Sequence, residues 1–241
     1  MPRHRNGASG QPTATRTLTA ALMSAMNLDL FPAEETIPSD VPLGQQAVVL
    51  RGLALPDADV ILAELNAIFA AAPLRHMVTP GGFRMSVGLT NCGALGWTTD
   101  LHGYRYTDRD PQTGLPWPDI PASFLLLAQR AAGRAGFADF QPDACLINRY
   151  LPGARMSLHQ DKNEQDFSAP IVSVSLGVAA TFLFGGRQRS DRAQRVVLQH
   201  GDVVVWGGVD RLRYHGVAAL KDATHPVLGN ARINLTFRRA G

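Results

Sequence analysis

The chain has 241 residues, 45% of them hydrophobic, and a formal net charge of +3 at pH 7, which is typical of one soluble domain with a single core. No apolar run approaches the roughly eighteen residues of a membrane span, and two cysteines, Cys92 and Cys145, are too few for a disulfide framework. These properties favour a reducing cytoplasm, and the mild basic charge is compatible with a nucleic-acid partner without identifying one.

The first 27 residues differ in composition from the rest. They are rich in Arg, Ser, Thr, Gly and Ala and contain no Asp or Glu. This composition predicts a disordered basic extension over residues 1–27, followed by one folded domain over 28–241. An organelle-targeting presequence has similar chemistry, and a start-codon artefact that precedes Met26 is a third interpretation.

Two helices are predicted from apolar spacing, one from Pro56 and Asp57 to about Ala71 and one from about Pro121 to Arg134. Gly136 is the expected stop of the second helix. The predicted apolar stripes are Val60, Ile61, Leu65, Ile68 and Phe69 in the first helix, and Phe124, Leu125, Leu126, Leu127 and Ala128 in the second. Both stripes are interpreted as core-facing, so that the helices buttress a sheet.

Between Arg75 and Pro118 the periodicity is weak, and many glycines are interspersed with Trp97, Tyr104 and Tyr106. Composition alone allows an irregular hairpin without a role. Long loop-rich segments in a compact domain are more often functional than not, which favours a functional segment here.

Short apolar runs separated by turn signals follow from Cys145 onward. Strands are predicted at 146–150, 171–176, 180–184, 196–198, 203–206, 212–215 and 233–238. Many short strands with helices only upstream predict a mainly β fold with flanking α, in which a double-stranded β-helix (jelly roll) forms the core.

The stretch S-L-H-Q-D-K at 157–162 contains the first candidate metal ligands. On an extended strand, His159 and Asp161 project from the same face roughly 7 Å apart. A second imidazole, His215, lies on another predicted strand. Two histidines and one carboxylate suit non-haem Fe(II) and leave open coordination positions. A His-x-Asp alone is more often a surface pair, so this hypothesis depends on the neighbouring strands.

The last predicted strand carries two arginines on its polar face. Apolar residues at 233, 235 and 237 alternate with Arg232, Asn234, Thr236 and Arg238. If that face is exposed, the arginines are ordinary surface charge. If it lines the interior, two buried cations need anions, and a small dicarboxylate would satisfy both. The segment 143–150 repeats the pattern, with Asn148 and Tyr150 on one face.

A basic run also stands out, because Arg187, Arg189, Arg192 and Arg195 fall within nine positions. Such a run is usually a solvated hairpin loop, and it suits phosphate contacts equally well.

Several motifs together resemble the AlkB family of Fe(II)- and 2-oxoglutarate-dependent dioxygenases, which repair alkylated DNA. The core motifs are N-R-Y at 148–150, H-Q-D-K at 159–162, Y-H-G at 214–216 and R-I-N-L-T-F-R at 232–238. Upstream are T-P-G-G-F-R-M-S-V at 79–87, L-T-N-C-G at 89–93, L-G-W-T-T at 95–99 and D-P-Q-T-G-L-P-W-P at 110–118. The resemblance extends from about Leu28 to the C-terminus.

The resemblance implies Fe(II) held by His159, Asp161 and His215, with 2-oxoglutarate as co-substrate and O2 as oxidant. Arg238 is implied as a further catalytic residue. The implied 2-oxoglutarate site consists of Asn148 and Arg238 at the carboxylate nearer the metal, Tyr150, Arg232 and Asn234 at the distal carboxylate, and Met156 against the carbon chain.

The resemblance also implies a nucleotide-recognition lid over 73–118 above a jelly-roll core over 143–241. The implied substrate-binding residues are Thr79, Trp97, Tyr104, Arg105, Tyr106, Asn163 and Arg189. Trp97 is expected to stack on the target base opposite His159. At Asn163 the family's bacterial member carries an aspartate that recognises an exocyclic amine, so the preference between adenine and cytosine lesions stays open.

The expected activity is oxidative demethylation of 1-methyladenine- and 3-methylcytosine-type bases in single- or double-stranded DNA, with RNA as a further substrate. The products are formaldehyde, succinate and CO2, and the enzyme is expected to be a cytoplasmic monomer without a membrane partner. Two alternatives remain open. One is a 2-oxoglutarate oxygenase acting on a protein or small molecule, and the other is a nonenzymatic nucleic-acid-binding jelly roll stabilised by Zn2+.

Overall fold

In the computed structural model, short strands and two helices are described over residues 39–241. The predicted extension, 1–27, and the segment 28–38 lie outside the described residues. The strands are β1 Val41–Pro42, β2 Ala47–Leu50, β3 Gly88–Gly93, β4 Gly96–Asp100, β5 Gly103–Thr107, β6 Ala144–Tyr150, β7 Met156–His159, β8 Ile171–Gly177, β9 Ala180–Phe184, β10 Gln194–Leu198, β11 Val203–Trp206, β12 His215–Val217 and β13 Arg232–Arg238; the helices are α1 Ala58–Ala71 and α2 Ala122–Arg134.

The strands form two sheets that face each other and one separate hairpin. The major sheet has seven strands in the order β1-β2-β11-β8-β13-β6-β3, and the minor sheet has four in the order β10-β9-β12-β7. β4 and β5 pair only with each other, and every pairing is antiparallel. The prediction of a mainly β jelly roll with flanking helices is confirmed.

Both helices cover the outer face of the major sheet. Ile61 and Leu65 of α1 and Phe124 and Leu127 of α2 share one apolar cluster with residues of β6, β8 and β13. The predicted apolar stripes included two residues that do not face the core, because Val60 is 52% exposed and Leu126 is 65% exposed. In α2 the inward face continues instead through alanines one turn further on, as expected for a helical period of 3.6 residues.

Two sequence-based boundaries differ from the structure. A strand was predicted at 212–215, but β12 begins at His215 and ends at Val217. The amide groups of Arg213 and Tyr214 donate to Asp210 and Gly186 in loop contacts, so they are not available to the predicted strand. In addition, the major sheet extends beyond 143–241, because β1, β2 and β3 belong to it and β3 lies within 73–118.

The alternation along β13 separates the two faces of the major sheet. Ile233, Leu235 and Phe237 pack toward the helices. The intervening residues are all buried and line the space between the sheets; they are Arg232, Asn234, Thr236 and Arg238. The interior interpretation of the two arginines is therefore confirmed, and the alternative of ordinary surface charge is wrong.

Gly216 allows the close approach of β12 to β7. A Cβ at this position would lie 2.7 Å from the carbonyl oxygen of Met156, closer than a side chain tolerates. The tight pairing places His215 directly opposite His159 in the register.

Over residues 39–241, no helix is long and apolar enough to cross a membrane.

Candidate metal centre

Three potential metal ligands converge at one end of the minor sheet. His159 ends β7, His215 begins β12, and Asp161 lies two residues beyond β7. The Nε2 atoms of the two histidines each lie 3.6 Å from a different carboxylate oxygen of Asp161. One ligand atom from each residue lies within 4.8 Å of the others, so a single cation can contact all three.

Backbone carbonyl groups orient both imidazoles. The Nδ1 atoms of His159 and His215 donate to the carbonyl oxygens of Ser157 at 2.8 Å and of Arg213 at 3.1 Å. A proton on Nδ1 leaves the Nε2 lone pair for a metal. Partial desolvation and the neighbouring His215 lower the pKa of His159, which keeps the ring neutral and able to bind a cation at pH 7.

Asp161 is held as a carboxylate by the Arg238 guanidinium and the imidazoles around it. Burial alone would raise its pKa, but Arg238 and the two imidazoles hold the pKa of Asp161 well below its ordinary value. The Nε and Nη2 atoms of Arg238 donate to Asp161 Oδ2 at 3.0 and 2.7 Å. Arg238 Nε also lies 3.4 Å from Glu164 Oε1. The premise that Arg238 requires an external anion is therefore wrong, because two protein carboxylates already neutralise it.

Arg232, in contrast, is a buried cation without an anion. It is 1% exposed, and its Nη2 donates to the hydroxyl of Ser175 at 2.8 Å. Its Nε and Nη1 atoms have no hydrogen-bond partner, and in the described part of the chain no carboxylate forms an ion pair with it. The guanidinium lies over the Tyr150 ring, 5.0 Å from its centroid. Because an uncompensated buried charge is costly, the site suits an anionic ligand.

The remaining predicted co-substrate residues line the same cavity, whose volume is about 50 Å³. Asn148 has an unpartnered Oδ1, and Tyr150 is buried beside Arg232. Asn234 differs, since its amide donates to Ser173 and Val174 and its oxygen accepts from Thr236. Asn234 thus orients its neighbours within the sheet. With an N,N,O donor set and an unpaired guanidinium in one cavity, the residues fit Fe(II) and a dicarboxylate.

Trp97 extends from β4 toward the metal centre. The side-chain amide of Asn91 donates to the Trp97 carbonyl oxygen and accepts from the Trp97 backbone N–H, both at 3.0 Å. The Trp97 ring stacks on Tyr104 with 5.6 Å between centroids. Its Nε1 donates to Asn163 Oδ1 at 3.3 Å. The structure therefore brings together three of the predicted substrate-binding residues, Trp97, Tyr104 and Asn163.

The other predicted substrate residues are more dispersed. Arg105 forms an ion pair with Asp100 at 2.6 Å, and Thr79 accepts the amide of Phe83 within a turn. Arg189 is exposed on the β9–β10 loop. Tyr106 lies closer to the metal centre than expected, since its hydroxyl donates to Glu164 at 2.7 Å. Burial holds the pKa of Tyr106 far above its usual value, so this hydroxyl remains a donor.

Sequence reasoning missed Arg211, the buried centre of a second set of contacts. Its Nη1 donates to the carbonyl oxygen of Asp161 at 2.8 Å, its Nε donates to Ala169 at 3.1 Å, and its Nη2 lies 3.2 Å from Glu164 Oε2. No periodic pattern identifies Arg211, because it lies in a loop. Glu164 is the last residue of H-Q-D-K-N-E, so the motif offered a signal for it.

We predict that Arg211→Met weakens metal binding by about 10- to 100-fold, because the carbonyl of Asp161 loses a hydrogen-bond donor and the carboxylate of Glu164 loses its ion-pair partner. A Mn(II) titration measures the affinity, and Arg211→Lys should restore part of it. Arg187→Met, which removes a guanidinium exposed to solvent, is the matched control. Unchanged Mn(II) affinity in folded Arg211→Met protein would contradict a positioning role.

Comparison with known proteins places the same region of the chain in one family. Residues 46–238 match the family model described as the 2OG-Fe(II) oxygenase superfamily. The chain is 59% identical over 213 residues to the alpha-ketoglutarate-dependent dioxygenase AlkB of Salmonella typhimurium, covering 88% of this chain and 98% of that protein. It is 57% identical to the Escherichia coli AlkB dioxygenase, covering 89% and 98%. The solved structure of OsALKBH1 aligns with a TM-score of 0.73 at 28% identity, covering 83% of this chain and 100% of that one.

Proposed function

This chain belongs to the 2OG-Fe(II) oxygenase superfamily, and we propose that it demethylates N-alkylated bases in DNA as an AlkB-type repair enzyme. It is a dioxygenase that uses Fe(II), 2-oxoglutarate and O2. The observation that supports the proposal most strongly is the His159, Asp161 and His215 cluster, whose two histidines line the same cavity as the unpaired guanidinium of Arg232.

The protein residues of this cavity have separate tasks. His159, Asp161 and His215 would hold the iron through two Nε2 atoms and a carboxylate. When bound, the iron and its co-substrate supply the oxidation of a methyl C–H bond by O2, and the hydroxymethylated base then loses formaldehyde. Arg232 would hold the distal carboxylate of 2-oxoglutarate with its unpartnered N–H groups.

Arg238 is paired with Asp161 and holds that ligand as a carboxylate. It would also contact the co-substrate carboxylate nearer the metal. Asn148 and Tyr150 contribute polar contacts to the co-substrate from β6. Met156 and Phe182 line the cavity with apolar surface and limit access of water. Exclusion of water strengthens each of these charged contacts.

The substrate base must leave the duplex to reach this centre. Flipping costs a few kcal/mol and costs least for bases whose methyl group already prevents pairing. Single-stranded DNA and RNA avoid this cost, so both belong to the proposed substrate range. Trp97 provides the stacking surface for the flipped base, an interaction worth about 1–3 kcal/mol.

Trp97→Ala should weaken binding of a methylated oligonucleotide by about 5- to 100-fold and leave co-substrate oxidation that is uncoupled from demethylation. Comparing succinate with formaldehyde measures this uncoupling. Leu126→Ala on the exposed side of α2 is the control, since it removes apolar surface remote from the hairpin. Unchanged demethylation by Trp97→Ala would exclude the lid assignment.

The exposed loop at Arg189 is proposed to contact substrate phosphates, together with the lid residues Thr79, Tyr104, Arg105 and Tyr106. We further propose a monomeric, cytoplasmic enzyme. The phosphate contacts are proposed from the exposed basic loop that contains Arg189, and the cytoplasmic location is proposed from the two cysteines, which are both buried free thiols.

The test of the proposed function is product formation from oligonucleotides that contain 1-methyladenine or 3-methylcytosine. The proposal predicts formaldehyde and succinate in equal amounts, dependent on Fe(II) and 2-oxoglutarate. Succinate without formaldehyde from any methylated oligonucleotide would favour a protein or small-molecule substrate. Absence of Fe(II)-dependent succinate would favour a nonenzymatic nucleic-acid-binding protein.

A further inference from the structure

Asn163 lies at the junction between the metal centre and the β4–β5 hairpin. It follows Asp161 by two residues, and its side chain is exposed. The Trp97 indole N–H donates to its Oδ1 at 3.3 Å. Because an indole N–H is a donor only, this contact fixes the amide with its oxygen toward Trp97. The NH2 group is the end that remains for a substrate.

The surroundings of Trp97 keep this arrangement in place. Asn91 binds the backbone N–H and C=O of Trp97, both at 3.0 Å. One face of the indole stacks on the Tyr104 ring, so a base would stack on the opposite face. Among the described residues, the Asn163 amide nitrogen donates to none. A base stacked on Trp97 near the metal centre therefore meets a hydrogen-bond donor at Asn163.

Methylation on the Watson–Crick face of a base gives two chemical classes. In 1-methyladenine and 3-methylcytosine an exocyclic amino group adjoins the methylated nitrogen, and the base carries a positive charge. In 1-methylguanine and 3-methylthymine a carbonyl oxygen, O6 or O4, takes the place of the amino group, and the base is neutral. The two classes thus offer opposite hydrogen-bonding groups to a residue beside the methyl group.

We propose that Asn163 shifts the preference of this enzyme toward carbonyl-bearing methylated bases, the 1-methylguanine and 3-methylthymine class. The inference rests on the proposed demethylase function and specifies its substrate class. The Asn163 amide donates to O6 or O4, whereas an exocyclic amine would place two donors against each other. An aspartate here would have the opposite effect, because its free oxygen accepts from an amine and its charge attracts a cationic base.

The first test compares wild type with Asn163→Asp on four oligonucleotides of one sequence, each with one of the four methylated bases. The readout is the ratio of kcat/KM for 1-methylguanine over 1-methyladenine, and for 3-methylthymine over 3-methylcytosine. Both ratios should fall by about tenfold or more in Asn163→Asp. Fluorescence anisotropy with Mn(II) in place of Fe(II) should give the same shift in Kd ratios without turnover.

Trp97→Phe provides an independent test of the contact that fixes the amide. Phenylalanine keeps an aromatic surface for stacking but lacks the indole N–H, so Asn163 is free to turn either end toward the base. Overall binding should weaken, and the carbonyl-over-amine ratio should move toward that of Asn163→Asp. Tyr104→Phe is the matched control, since it alters a neighbouring aromatic residue without removing the donor to Asn163.

The outcomes separate this inference from the function on which it rests. Lower ratios in both Asn163→Asp and Trp97→Phe, with wild-type ratios in Tyr104→Phe, support the proposed preference. Active enzymes with equal ratios in wild type and Asn163→Asp would overturn the preference and leave the demethylase function intact. If wild type releases formaldehyde from none of the four oligonucleotides, the proposed function fails and the inference falls with it.

Discussion

His159→Ala should abolish formaldehyde release from methylated oligonucleotides. The substitution removes one of three protein ligands, and loss of a direct ligand costs more than the roughly 10- to 100-fold loss of metal affinity that follows loss of an outer contact. His159 is the most informative ligand to remove because its side chain is 39% exposed, so the fold should tolerate alanine. A Mn(II) titration measures the loss of metal affinity, and a product assay measures the loss of formaldehyde release.

The other two ligands are less clean probes of the same claim. Asp161→Ala also removes one of the two carboxylates that neutralise Arg238, so this buried cation would keep only the more distant Glu164 and the protein would be destabilised. His225→Ala is a suitable control for His159→Ala, since this imidazole accepts from backbone amides of its own loop and lies beside the ring of His200. Substantial turnover by folded His159→Ala protein would exclude the three-ligand centre.

Arg232→Met should raise the KM for 2-oxoglutarate by about thirtyfold to a thousandfold, equivalent to roughly 2–4 kcal/mol. The buried guanidinium has N–H groups without partners, and only the co-substrate brings an anion to them. Fe(II) or Mn(II) affinity should stay near that of wild type, because Arg232 contacts none of the three ligands. Initial rates at varied 2-oxoglutarate concentration measure the KM, and a Mn(II) titration measures the metal affinity.

Although Arg232→Met should weaken co-substrate binding, it should not lower the thermal stability of the protein. Without co-substrate, Arg232→Met should unfold at the same temperature as wild type or higher, because methionine removes an unpaired buried charge. Wild type should gain stability when Mn(II) and 2-oxoglutarate are added, whereas the variant should gain little beyond the Mn(II) effect. Arg239→Met, at the exposed neighbour of β13, is the control. A wild-type KM in Arg232→Met would refute the assignment of Arg232.

The alternation of β13 was predictable because a strand has a period of two residues, and one face was strictly apolar. The same reasoning placed Asn148 and Tyr150 on the inner face of β6. Burial of that face was not predictable from the strand itself, since it depends on the minor sheet that covers it. Only the metal-ligand pattern and the family resemblance favoured the interior interpretation.

The neutralisation of Arg238 was beyond the reach of sequence reasoning. It depends on how the 160–165 segment folds back so that Asp161 and Glu164 both reach one guanidinium. Arg211 was missed for the same reason, because its partners are a carbonyl and a carboxylate on a different loop. Contacts between loops have no periodic signature, whereas strands and helices do.

The hydrogen bond between Trp97 and Asn163 illustrates the same limit with a functional consequence. The sequence showed an amide at position 163 but not which end of the amide faces the substrate. The indole N–H decides this orientation, and the two residues are separated by 66 positions.

The central claim is that Arg232 and the His159, Asp161 and His215 cluster together form one binding site for metal and 2-oxoglutarate. The most direct test is a crystal structure with Mn(II) and 2-oxoglutarate grown without oxygen. The account predicts Mn(II) bonded to both Nε2 atoms and to the Asp161 carboxylate, with a 2-oxoglutarate carboxylate hydrogen-bonded to Arg232. A metal bound elsewhere, or Arg232 without a carboxylate partner in the occupied site, would contradict it.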